Sequence, residues 1–93
     1  MHEPAPEELW RRKLVDEGFD NVYIWRDAPH AEYHDHSHPF TSAHIILDGE
    51  MRVVSEKEGR ILRPGDRMDV IAGTIHSVAM GDEGCRYIIA EKY

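Results

Sequence analysis

Two periodicities divide the chain. From Pro6 to Glu17 apolar residues are sparse, and Trp10 and Leu14 fall four apart on one face of an otherwise charged segment. Pro6 suits a first helical turn, Glu7 and Glu8 complement the positive end of the helix dipole, and Gly18 is a C-terminal stop. Glu7 with Arg11 and Glu8 with Arg12 form i,i+4 pairs in the favourable order. The spacing predicts a short helix within residues 6–18. Its narrow apolar stripe is suited to lying on another element, either over a barrel mouth or along an open sheet edge. Residues 1–5 read as a loose tail.

After Gly18 the alternation changes to period two. Residues 22–25 are rich in strand formers, and Asp27, Ala28 and Pro29 break them. A strand over 33–38 ends at Pro39, and another runs over 43–47. Asp48-Gly49 reads as a hairpin turn leading into 51–55. Residues 56–59 make a second hairpin returning through 60–62. Pro64, Gly65 and Asp66 turn the chain into 68–71, with Asp66 capping that turn. Ala72, Gly73 and Thr74 break it again, and strands over 75–80 and 85–90 come next, separated by the Gly-Asp-Glu-Gly run at 81–84. Short strands at regular spacing with Gly and Pro punctuation predict an all-β fold, an antiparallel sandwich or small barrel over 20–91. There is no internal repeat, low-complexity segment or linker, so 1–93 reads as a single domain.

Composition narrows the picture. At 93 residues the core is small, and a metal or a second subunit is a reasonable expectation for its stability. Cys85 is the only cysteine, which excludes a disulfide within the chain and points to a reducing, cytoplasmic compartment. No apolar run approaches a membrane span, so no membrane partner is expected. Eighteen acidic against eleven basic residues leave a net charge of −7, and the basic residues are scattered. Both facts argue against a nucleic-acid partner.

The chemistry is concentrated in the histidines. Seven occur, and five lie between His30 and His44. His34, His36 and His38 alternate with other residues, and on a strand positions i and i+2 share a face. Imidazoles placed in this way can converge on one ion at about 2.0–2.2 Å from their nitrogens. His44 lies on the next strand, and His76 comes after a Gly turn. Such a set suits a divalent first-row metal with open coordination positions. A lone His-x-His on a strand is ordinarily solvated, so the company it keeps decides. His2 and His30 read as solvated.

That company forms two spaced motifs. His36-Ser37-His38, then three residues to Ser42 and six to Gly49, resembles the first motif of the cupin family, where a Glu stands at the position of Ser42. Gly65, five residues, Ile71-Ala72-Gly73, two residues to His76 and three to Met80 resembles the second. There the family has Pro where Ile71 stands and Asn where Met80 stands. The resemblance implies a small β-barrel or jelly roll holding one divalent transition metal (Zn, Ni, Fe, Mn or Cu). Carried over, it assigns His36, His38 and His76 to the imidazole ligands. Ser42 cannot replace the carboxylate ligand. Either His44 supplies a fourth imidazole, or the metal keeps three histidines and His44 stands behind them or in the wall.

A neutral ligand set leaves the metal's charge uncompensated and favours anionic ligands. The interior is therefore expected to be free of carboxylates. His34 either faces the barrel mouth or pairs with Asp35 or Glu32 at the surface. Ile46, Met51, Val53, Met68, Val70, Val78 and Met80 are the expected wall, with Tyr23, Trp25, Tyr87 and Ile89 as core residues able to reach the cavity. Arg26, Arg52 and Arg63 are candidates to meet an anion. The resemblance implies a small metal-binding cupin whose reaction stays open, an enzyme of dioxygenase or isomerase type acting on a small anionic or oxygenated molecule being one reading. The alternative is a non-catalytic ligand-binding or sensing module in which metal is structural or absent. Exposed strand edges lead us to expect a homodimer.

Overall fold

A computed structural model describes residues 6–56 and 58–93; the expected tail over 1–5, with His2, and Lys57 of the second hairpin lie outside them. The chain runs through helix α1 (Pro6–Asp16) and six strands: β1 (Asn21–Asp27), β2 (Glu32–His36), β3 (Thr41–Ser55), β4 (Glu58–Leu62), β5 (Arg67–Val70) and β6 (His76–Lys92). All pairings are antiparallel. β3 and β6 pair from Thr41↔Lys92 to Ser55↔His76 and form one long ribbon. One half of this ribbon is flanked by β1 and β5, the other by β2 and β4. The result is a small antiparallel β-barrel of jelly-roll type with a short N-terminal helix: the alternation predicts the helix and an antiparallel sandwich or barrel, and the cupin resemblance implies the jelly roll.

The ribbon corrects two expected breaks. Asp48-Gly49 is not a hairpin turn, and residues 81–84 do not separate two strands; both lie inside continuous strands. The register between β3 and β6 shifts at Ile46/Asp48 and at Gly49/Met51, which marks bulges. Gly49 has φ +83, and a Cβ there would run into the Gly84 carbonyl across the ribbon. An Asp-Gly pair serves either a tight turn or a bulge, and only the long-range partner strand decides between them. Here the bulges fall between the half of the ribbon flanked by β1 and β5 and the half flanked by β2 and β4.

Each face of the ribbon has its own core. Ile46, Met51, Val53, Leu62, Val78, Met80, Cys85 and Tyr87 fill the barrel interior. Ala43, Ile45, Ile88 and Ala90 point the other way and pack with Phe19, Leu14 and the partly buried Trp10, Val22 and Ile24. Helix α1 therefore covers the outer sheet face, not the mouth or an edge, and Leu14 is fully buried there. Glu8 pairs with Arg12 as expected (2.7 Å), whereas Glu7 reaches Arg86 on β6 (2.9 Å). Among the described residues no helix is long and apolar enough to cross a membrane.

Candidate metal centre

His36 sits at the end of β2 and is the cross-strand partner of His76, the first residue of β6. Their ring centroids are 4.3 Å apart, and His38 lies 4.8 Å from His36 and 5.7 Å from His76. One potential ligand nitrogen from each of the three falls within 4.8 Å of the others. His38 is not on a strand: β2 ends at His36, two residues before the position expected. Pro39 has no N–H to continue a ladder. A tie between the two motifs positions His38 instead, because the Gly73 N–H donates to its carbonyl (2.8 Å). The ring stacks on Phe40 with centroids 4.8 Å apart.

The ring nitrogens are sorted by their neighbours. Nδ1 of His36 is 2.6 Å from the His34 carbonyl, and Nδ1 of His76 is 3.0 Å from the Thr74 carbonyl. A carbonyl only accepts, so both Nδ1 atoms carry a proton, and neutral imidazoles present a free Nε2 lone pair. Backbone carbonyls that orient ligating imidazoles are a recurring support of metal sites. Burial, then the neighbouring His36 and His76, hold His38 below the usual imidazole range, which also favours its ligating form.

His44 lies outside this group of three, although it lines the same cavity. It is buried, and its Nδ1 has no hydrogen-bond partner among the described residues. Burial, followed by the charge of His76, pushes its pKa down to about 4, so the ring is neutral at physiological pH. His34 is exposed and stands at the cavity rim. His30 is exposed beside Asp82.

The cavity has a volume of about 440 Å³. Tyr23, Trp25, Tyr87, Ile89, Met51 and Val78 reach it, while the other expected wall residues are packed in the core or, for Val70, simply buried. Arg26, Arg52 and Arg63 do not line it; Arg26 faces Asp48 and Arg63 faces Glu50 at the surface. Asp66 caps its turn as expected, accepting from the Arg63 N–H (2.9 Å).

The expectation of a carboxylate-free interior is corrected. Glu91 lines the cavity at 8 % exposure, because β6 runs on to Lys92 and places residues 87, 89 and 91 on one face. That parity was available in the sequence, but a charged residue next to a chain end defaults to solvent. A second carboxylate, Asp27, is buried at the other end of β1. Its Oδ1 accepts from Tyr33 Oη (2.6 Å) and Trp25 Nε1 (3.2 Å), and its Oδ2 from Tyr87 Oη (2.8 Å). Tyr33 itself escaped the period-two reading. The register shifts between Tyr33 and His36, so Tyr33 and His34 both line the cavity. The bond to Asp27 holds the Tyr33 phenol above its ordinary range, and burial followed by Asp27 does the same for Tyr87.

No protein-family model matches the chain, and no curated protein is similar to it. Solved structures are similar. A cupin-like protein from Thermotoga maritima MSB8 is 29 % identical with a TM-score of 0.69, over 76 % of this chain and 55 % of that one. DMSP lyase DddQ from Ruegeria pomeroyi DSS-3 is 25 % identical with a TM-score of 0.70, over 77 % of this chain and 37 % of the lyase. A cupin-2 domain protein from Shewanella frigidimarina NCIMB 400 is 19 % identical with a TM-score of 0.67, over 77 % and 69 %. The chain thus spans little more than a third of the lyase and about half of the Thermotoga protein. Together with the jelly-roll ribbon, these likenesses show that the chain has the fold of a small cupin domain.

Proposed function

We propose that this domain binds one divalent transition-metal ion through His36, His38 and His76, and acts on a small oxygenated molecule held beside it in the cavity. The observation that carries the reading is the paired Nδ1-to-carbonyl anchoring of His36 and His76, which leaves two Nε2 lone pairs free next to His38. Lone pairs gathered in this way repel one another unless a cation or proton is shared among them. When bound, the metal supplies Lewis acidity or oxygen activation of the kind used by dioxygenases and isomerases.

The chain's own groups hold the ligand. Tyr33 and Tyr87 have committed their protons to Asp27, so their oxygens face a ligand as acceptors. The neutral ring of His44 adds to the wall around that ligand. Aromatic and aliphatic side chains form much of the wall around it. The volume suits a small molecule. The likeness to a lyase supports small-molecule chemistry in this kind of cavity. The protein works in the cytoplasm as a homodimer, a reading supported by its single buried thiol and its uncovered strand edges.

Elemental analysis of untagged protein titrated with Zn, Ni, Fe, Mn and Cu is the test. We expect about one ion per chain, and His76→Ala should weaken binding by at least ~100-fold, since even outer-sphere partners of metal ligands contribute tenfold or more. Absence of uptake from every one of these metals overturns the reading. Oxygen uptake over a panel of small enols and phenols then separates oxygenase from isomerase chemistry.

A further inference from the structure

Serine stands at position 42, where the first cupin motif has its carboxylate. Ser42 is almost fully buried on β3, and its direct partner across the β3–β6 pair is Glu91. Residues opposed in this way on antiparallel strands project to the same face with Cβ atoms about 5 Å apart. Both side chains line the cavity that holds His36, His38 and His76. The carboxylate missing from one strand is therefore present on its neighbour.

Glu91 is built into place. Its Oε1 accepts from Tyr93 Oη (2.5 Å) and Asn21 Nδ2 (3.1 Å), and its Oε2 accepts from Tyr23 Oη (3.1 Å). Burial raises its pKa, but the three donors outweigh burial and hold the carboxyl below its usual range. The group is thus a fixed anion, and its charge is felt at His38. Three donors on two oxygens leave it a weak base. Its carboxyl oxygens also lie outside the 4.8 Å group formed by the three imidazoles. A stationary counter-charge is what remains for it to be.

We propose that Glu91 supplies from β6 the negative charge that the serine at position 42 withholds on β3, and so acts as the counter-ion of the three-imidazole centre. The proposal rests on the metal-binding reading above. It makes Glu91 a positioning and charge-balancing residue, and it reduces the charge of a loaded site from +2 to +1. Asn21, Tyr23 and Tyr93 become part of the centre through Glu91.

The test is the affinity for Zn²⁺ and Ni²⁺, measured by competition with a chromophoric chelator. Wild type, His38→Ala, Glu91→Gln and the exchanged pair Ser42→Glu/Glu91→Ser are compared. Glu91→Gln keeps the side-chain shape and should lose about tenfold in affinity, the scale of an outer-sphere partner. The exchanged pair should bind within about threefold of wild type or tighter, because the charge returns at the position where the first motif places its carboxylate. Glu91→Gln binding as tightly as wild type, while His38→Ala does not bind, overturns the proposal and leaves the metal centre standing. Wild type that binds neither ion overturns both. If circular dichroism shows Glu91→Gln unfolded, the exchanged pair decides: near-wild-type or tighter affinity supports the proposal, and a loss as large as that of His38→Ala overturns it.

Discussion

Cys85 is fully buried in the barrel interior, and burial, with smaller contributions from Asp27 and Asp48, pushes its thiol up to about 11 from an ordinary 9.0. A protonated, enclosed sulfur is a poor nucleophile, so a disulfide-exchange reagent should leave the folded protein unlabelled at pH 8 and modify one thiol per chain in denaturant. The sign of the pH dependence is set by the same burial. The unfolded chain releases this proton near pH 9 while the folded chain keeps it. Stability from the site is therefore whole below pH 9 and lost as pH rises toward 11. Tyr87, also held protonated, adds to that limb. Urea titrations at pH 8, 9.5 and 11 check this, and Cys85→Ala should flatten the fall. Single residues were unevenly legible beforehand. His36, His38 and His76 are assigned by the resemblance to the two cupin motifs, and the fold brings them together. Glu91 and Tyr33 were missed because their orientation depends on the length of β6 and on a bulge in β2, both set by pairing with distant strands.

At the scale of elements, the bulges in the β3–β6 pairing fall between the two halves of the ribbon, and Gly49 is the point where the ribbon is tightest. Its φ of +83 and its approach to the Gly84 carbonyl both exclude a side chain. Gly49→Ala should destabilise the fold by at least ~2 kcal/mol, combining left-handed strain with a backbone collision. Gly73 has a similar φ of +84 but open space around its absent Cβ, so Gly73→Ala should cost only about 1 kcal/mol. Thermal or denaturant melts of the two variants compare them directly. Equal losses would show that strain alone operates at Gly49. The existence of α1 and of every strand segment was readable from local alternation. The fusion of eight expected segments into six strands was not, because a bulge and a turn use the same Asp-Gly chemistry and differ only in what lies across from them.

For the whole molecule, acidity and cavity now separate. The net charge of −7 is carried mostly by exposed side chains, and the interior holds Asp27 and Glu91 under the control of phenol, indole and amide donors. So small a body leaves sheet edges open, and Val54 and Ile61 are exposed near one of them on β3 and β4. Sedimentation equilibrium should return twice the 10.8 kDa chain mass at micromolar concentration; the mass of one chain would exclude the homodimer. The β3–β6 ribbon has a further consequence, for the order in which the protein is made. Its nearest rungs join Ser55 to His76, and its farthest join Thr41 to Lys92. No local hairpin begins it, and the whole segment carrying β4 and β5 must loop back before the first rung closes. Closure of that kind is slow, and it delays folding until late contacts repay the lost chain entropy. His76 opens the returning strand and meets His36 only once this loop has shut. His76 is therefore separated from His36 and His38 during synthesis and early collapse, and a metal ion finds all three imidazoles together only in a chain that has already closed.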